Sequence, residues 1–280
     1  MTESTDLLIV GGGIAGVTVA RSMRQAGDDR SILIAGDESV LPYDRPPLSK
    51  GVLTGAVEPG SGSLITVEEL ADLRISGQWG ARAASLDPST TTVAFADGTR
   101  VRADDIVIAT GARARTLDAL TGPRVHYLRS DADSIALREA LRSAGRVAVV
   151  GAGFIGLEVA ASAATMGLDV VVLEAAPAPL SRVLGSQTGH LLAALHESHG
   201  VTIRCGCSVT SIGSQPDGAR LLLSDGSQVT ADVVVVGAGA IPNTEWLAGS
   251  GVTVDDGVVC DASGRTSRER IWAAGDVSRW

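Results

Sequence analysis

Two hexapeptides carry the glycine spacing that dinucleotide phosphates require. Gly11, Gly13 and Gly16 form one GxGxxG, and Gly151, Gly153 and Gly156 form another. In such a turn the first glycine allows the tight bend. The second lets a pyrophosphate approach the main chain, and the third lets helix and strand pack closely. The helix that follows offers free N–H groups and a positive dipole end to the phosphates. A carboxylate then follows each turn at the distance expected of a ribose ligand. Asp37 lies 21 residues beyond Gly16, with Glu38 beside it, and Glu174 lies 18 residues beyond Gly156. Glu174 also repels a 2′-phosphate, so NADH is the expected nicotinamide. Two such sites need two dinucleotides. One short chain holding both points to a flavoprotein that moves hydride from NAD(P)H to FAD.

The elements that must position these residues repeat. At an offset of 140, Val10, Gly11, Gly13, Gly16, Val19, Ala20 and Gly27 recur as Val150, Gly151, Gly153, Gly156, Val159, Ala160 and Gly167. At an offset of 128, residues 97–104 recur as 225–232. Each first unit reads as an apolar strand (7–10, 146–150), a small-residue helix (14–26, 154–166) and a second apolar strand (31–35, 169–173). That is βαβ with a parallel sheet. Asp-Gly turns flanked by alternating residues predict hairpins over 91–101 and 219–229. The fold class is α/β, with two Rossmann-like, three-layer dinucleotide-binding domains.

Composition removes other classes. The chain has 280 residues, 45% of them hydrophobic and 20% charged, enough to bury sizeable cores. A net charge of −9 and 3% aromatics argue against a nucleic-acid or anionic-membrane partner. No apolar run reaches the length of a membrane span. The run at 7–20 is broken by glycines and preceded by Glu3 and Asp6, unlike an export signal. Cys205, Cys207 and Cys260 form neither a disulfide framework nor a zinc site, and a reducing cytoplasm is the expected location. His126, His190, His196 and His199 face no candidate nucleophile. Of 23 cationic residues, 22 are arginine and Lys50 is the one lysine.

The chain resembles the pyridine-nucleotide-disulfide-oxidoreductase flavoproteins. The resemblance rests on both glycine fingerprints, on Ile108-Ala109-Thr110-Gly111, and on Thr266 followed by Ala273-Ala274-Gly275-Asp276. The stretch Leu41-Pro42-Tyr43-Asp44-Arg45-Pro46-Pro47-Leu48-Ser49-Lys50 narrows it to the FAD-dependent, NADH-oxidising reductases of ferredoxin and rubredoxin that serve dioxygenases and bacterial P450 systems. It runs from about residue 5 to 280. It implies a discontinuous FAD domain, residues 1–114 and 240–280, into which an NAD(H) domain, residues 115–239, is inserted. It also implies that Asp276 bonds the ribityl chain, and that Lys50 sits near flavin N5, paired with Glu158. An ammonium there would stabilise charge on the reduced flavin. Arg45 and Arg129 match arginines beside FAD, although a surface ion pair accounts for either as well. Ala15 and Ala83 would meet FAD through backbone, with Thr110 and Gly111 nearby. Arg182 would clamp the adenosine end of NADH. Phe154 and Ile155 open the second helix beside the dinucleotide, Phe154 reading equally as a core aromatic. Ala238 and Gly239 mark the nicotinamide end.

Residues 36–60 contain no cysteine, so the thiol chemistry of disulfide reductases and cysteine-based peroxidases is disfavoured. What remains is single-electron exit from reduced flavin to an external iron–sulfur carrier. A flavin-linked NADH oxidase and a dinucleotide-binding fragment without turnover stay open beside it. Relatives continue past Asp276 with a helix beside the flavin and a C-terminal αβ domain that contributes dimer and carrier contacts. The sequence is accordingly read as a truncated form, with its oligomeric state open.

Overall fold

A computed structural model describes residues 2–280. They form two compact units. The first takes the residues up to Asp44, Gly62–Arg113 and Ile241–Trp280, and the second takes Arg45–Ser61 and Ala114–Ala240.

The first unit is built on β1 (Thr2–Val10), with β2 (Ile32–Gly36) and β3 (Ile75–Trp79) beyond it in parallel. β6 (Arg100–Ile108) lies parallel on its other side, followed by antiparallel β5 (Thr92–Phe95) and β4 (Ala83–Asp87). Near-continuous apolar runs suit a parallel sheet covered on both faces. Leu7 and Ile9 pack with Val17 and Ala20 of α1 (Ile14–Gln25) on one face. Leu8 and Val10 pack on the other with Phe95, Trp246 and Leu247. β1 starts at Thr2, earlier than residue 7, because its polar first half pairs with Arg100–Ala103 of β6, which apolar patterning cannot register. The first predicted hairpin forms, its turn closed by Asp97 accepting the Thr99 N–H and by Gly98 at φ +87°. The strand Ile271–Ala273 joins the upper half of β6 in parallel, so the third segment returns to the same sheet.

The second unit repeats the plan. β7 (Arg146–Val150), β8 (Asp169–Glu174) and β9 (Val201–Cys205) run parallel, and β10 (Val233–Val236) flanks β7 on its other side, with Val125–His126 at the edge. Between them lie α2 (Asp131–Arg142), α3 (Phe154–Thr165) and α4 (Ser181–Ser198). The antiparallel sheet Val209–Gln215, Gly218–Leu223, Gln228–Ala231 includes the second predicted hairpin and packs Leu221 and Leu223 against Ala148 and Val234. Sequence assigns residues 45–61 to the first domain; in the structure they group with the second unit, where Leu48, Val52 and Leu53 are buried.

Asp232 locks the start of β7. One oxygen accepts the N–H groups of Gly145 (2.9 Å) and Arg146 (2.8 Å), the other the Arg146 guanidinium (2.8 Å). These bonds, the guanidinium's first, hold its carboxyl at about 2, below the ordinary 3.8. A carboxylate whose folded value is depressed stabilises the fold fully above its unfolded value and loses that contribution as pH falls toward the folded one. Asp232→Asn should therefore cost about 2 kcal/mol at pH 7. In thermal melts its gap from wild type should close between the two values; a gap constant with pH would contradict the assignment.

Candidate dinucleotide-binding sites

In the first unit the glycine turn leaves β1 and enters α1. Gly11 has φ +130°, and a Cβ on it would sit 2.0 Å from the Ala109 carbonyl oxygen. A Cβ on Gly16 would sit 2.1 Å from the Gly11 carbonyl oxygen. A Cβ on Gly13 would meet nothing within 4 Å. Two glycines are thus required by the protein's own packing, and the middle one faces open space before the helix. Gly13 is the N-cap of α1, so the N–H groups of the first turn have no intrahelical acceptors. This is the cradle a pyrophosphate needs.

The other predicted residues of this unit gather around it. Asp37, exposed, and Glu38 follow β2, and Glu38 accepts the Tyr43 hydroxyl at 2.5 Å. Gly80 donates to the Glu38 carbonyl and Ala81 to that of Gly36, which brings the chain leading into Ala83 against the same loop. Thr110 and Gly111 (φ +62°) follow directly on Ala109, against which Gly11 packs. Ala274 donates to the Ile108 carbonyl, and a Cβ on Gly275 would lie 2.6 Å from the Ala15 Cβ. The Gly275-Asp276 turn therefore sits on the first turn of α1, although 260 residues of chain separate Ala15 from Gly275. Sequence reasoning missed Asn243. It donates to the Thr110 carbonyl (2.9 Å) while its own carbonyl accepts the Thr110 hydroxyl (2.8 Å). Trp79 was also missed; its ring backs Gly12 and Gly36.

The second unit reproduces the geometry. A Cβ on Gly151 (φ +100°) would lie 2.5 Å from the Gly237 carbonyl oxygen, one on Gly156 2.1 Å from that of Gly151, and one on Gly153 within 4 Å of nothing. Ala238 and Gly239 continue from Gly237, as Thr110 and Gly111 continue from Ala109. Glu174 ends β8 with both oxygens engaged: one takes the Ala152 N–H in the glycine turn (2.6 Å), the other the Ala176 N–H (2.8 Å). A carboxylate offers about four lone-pair sites, so two remain for ribose hydroxyls. Arg182 is exposed in the first turn of α4. Phe154 (55% exposed) and Ile155 (42%) project from the start of α3, so Phe154 is no core aromatic.

Lys50 and Glu158 meet, Nζ to Oε1 at 2.8 Å. Arg45 donates to the Arg129 carbonyl at 2.6 Å, so these two candidate residues are neighbours as well. Cys205 ends β9 opposite Glu174, and burial, then the Glu174 charge, pushes its thiol up, away from reactivity. Among the described residues no cluster of His, Cys, Asp and Glu could hold a metal ion, and no helix is long and apolar enough to cross a membrane.

These geometries separate two kinds of glycine. Gly156→Ala should destabilise the second unit strongly, because the added methyl collides with backbone that cannot move aside. Gly153→Ala should fold as wild type yet bind NADH about tenfold more weakly, about 1.4 kcal/mol. Thermal melts beside NADH titrations would show both; a Gly153→Ala protein that keeps full NADH affinity would contradict the cradle.

The fold and the paired glycine turns define a protein of two Rossmann-like units, and comparison with known proteins places it in a family. The pyridine nucleotide-disulphide oxidoreductase profile matches residues 5–280, and the chain belongs to that family. It is 38% identical over 278 residues to the rhodocoxin reductase of Rhodococcus erythropolis, covering 98% of this chain and 65% of that protein. It is 38% identical over 276 residues to the biphenyl dioxygenase system ferredoxin–NAD(+) reductase component of Paraburkholderia xenovorans (strain LB400), covering 98% and 67%. A chain of the crystal structure of the covalent putidaredoxin reductase–putidaredoxin complex superposes with a TM-score of 0.93 at 35% identity, covering 98% of this chain and 68% of that one. The chain thus spans about two thirds of the length of these relatives.

Proposed function

We propose that the chain is a flavoprotein oxidoreductase that takes hydride from NADH onto FAD and passes electrons singly to a small ferredoxin- or rubredoxin-like carrier. The observation that carries this reading is the duplicated cradle, with its open middle glycine and following carboxylate in both units. Each leaves room for a phosphate at the helix start, because a methyl group on the middle glycine would touch no protein while the first and third glycines are held against backbone. The names of the relatives support the acceptor: rhodocoxin reductase, ferredoxin–NAD(+) reductase, and a reductase joined to putidaredoxin.

Bound FAD supplies the means to receive a hydride and release its electrons one at a time. The chain supplies binding and charge. Gly11, Gly13, Ala15 and Gly16 receive the FAD pyrophosphate on the N–H groups of α1, Asp37 and Glu38 its adenosine ribose, and Asp276 its ribityl chain. Ala83, Thr110, Gly111, Arg45 and Arg129 complete the FAD set. Gly151, Gly153 and Gly156 receive the NADH pyrophosphate. Glu174 takes the ribose hydroxyls and excludes a 2′-phosphate, Arg182 binds the adenosine end, and Phe154, Ile155, Ala238 and Gly239 flank the rest. Lys50, oriented by Glu158, sets a fixed positive charge where hydride transfer builds negative charge. Residues 36–60 carry no thiol for a disulfide relay. The three cysteines, all free, suit a reducing cytoplasm.

The test is optical. Protein incubated with FAD and freed of excess should show flavin bands that bleach on anaerobic addition of NADH, then return as a ferredoxin or rubredoxin is reduced. A protein that takes up no FAD overturns the reading. Rapid oxygen consumption with no carrier requirement would make it an oxidase instead.

A further inference from the structure

Among the described residues the buried polar side chains are Ser49, Ser134, Ser162 and Ser250. Ser250 closes its own turn on the Leu247 carbonyl. The other three converge on the stretch 46–50. The backbone there makes one short helical turn, Pro46–Ser49, breaks at Lys50 (φ −123°, ψ −107°), and starts another, Gly51–Thr54. A break of this kind leaves the carbonyls just before it without helical donors. Two serines from neighbouring helices supply those donors. Ser134 of α2, fully buried, donates to the Leu48 carbonyl at 2.7 Å, and Ser162 of α3 donates to the Ser49 carbonyl at 2.6 Å. The Ser49 hydroxyl donates at 2.5 Å to Oε2 of Glu158, the carboxylate whose other oxygen holds the Lys50 ammonium.

We infer that Ser134 and Ser162 are positioning residues for Lys50, and Ser49 for Glu158. The two carbonyl contacts hold the backbone on either side of the break, and the third contact fixes the carboxylate plane, so the ammonium has one place to sit. The lysine is half-exposed; its ammonium meets Glu158 and, at 3.2 Å, the Pro46 carbonyl, and a long exposed side chain is not held in one geometry by an ion pair and one long hydrogen bond alone. The serines supply the order that the pair lacks. They also explain why Leu48 and Ser49 stand in that order before the lysine: Leu48 fills the core, and Ser49 reaches the carboxylate. What the ordered ammonium does rests on the proposed function; its being held does not.

Because Lys50 is the one lysine, ¹³C-lysine labelling of the chain gives NMR signals of that side chain alone, with or without flavin. In wild type its two Hε protons should be distinct. Ser49→Ala and Ser162→Ala should merge them while leaving the backbone amide spectrum elsewhere unchanged, and Ser49→Thr should restore the splitting. In flavin-loaded protein the same alanine variants should lower the rate of flavin reduction about fivefold to tenfold at nearly unchanged NADH affinity, the pattern of lost orientation. Ser49→Ala leaves no buried carbonyl without a donor, so it decides the matter if Ser162→Ala fails to fold. Distinct Hε signals persisting in a folded Ser49→Ala protein would overturn the inference. A wild type with merged Hε signals would overturn it too. A chain that binds no flavin but shows the merging would overturn the proposed function alone.

Discussion

Glu174→Arg should shift the ratio of kcat/KM for NADH over NADPH by about a hundredfold toward NADPH, about 2.7 kcal/mol. A carboxylate and a phosphate about 4 Å apart at an effective dielectric near 20 repel by about 4 kcal/mol, and an arginine turns repulsion into bidentate attraction. Partial exposure of the residue trims the gain, which is why two decades are expected and no more. The substitution has a second effect. Glu174 also holds the Ala152 and Ala176 N–H groups, so losing it loosens the glycine turn and should weaken NADH binding by itself. Glu174→Gln separates the two contributions: it keeps one acceptor, removes the charge, and should relax discrimination about tenfold with little loss of fold. Steady-state kinetics with both nucleotides are the measurement. Unchanged selectivity in a folded Glu174→Arg protein would remove Glu174 from the ribose site.

Both cradles were legible in the sequence because their requirement is backbone geometry. At Gly11, Gly16, Gly151 and Gly156 a side chain meets a carbonyl at 2.0–2.5 Å, so the residue type is dictated locally and repeats at fixed spacing. Glu174 was legible for a similar reason: a strand end is a definite place. Asn243 was not, since its bonds to Thr110 span 133 residues and a single asparagine in a loop carries no spacing. The three serines were silent in another way. Serine is ordinarily a surface residue, and only burial against the broken turn at Lys50 makes these matter. The apolar residues Leu48, Val52 and Leu53 announce that the stretch 45–61 is anchored but not in which core, so sequence alone left it with its neighbours in the first domain.

Lys50→Met should slow anaerobic reduction of bound flavin by NADH about a hundredfold, the usual cost of removing one preorganised electrostatic partner. NADH affinity should change by no more than about threefold, because uniform binding and transition-state stabilisation are separate losses. The geometry supports that split. An ammonium has three donors; Glu158 takes one at 2.8 Å and the Pro46 carbonyl another at 3.2 Å. Among the described residues these two acceptors leave one donor of the half-exposed ammonium turned to solvent or ligand. Methionine keeps the length and apolar stem of lysine, so packing around 46–50 survives. The Glu158 carboxylate keeps the Ser49 hydroxyl and, being one-third exposed, gains water in place of the ammonium. Arginine should rescue poorly: it keeps the charge, but spreads it over a planar guanidinium in place of a compact point charge. Stopped-flow reduction at several NADH concentrations separates the limiting rate from the dissociation constant. If both fall together, the lysine holds the fold of its segment. If only the limiting rate falls, its charge acts on the reaction.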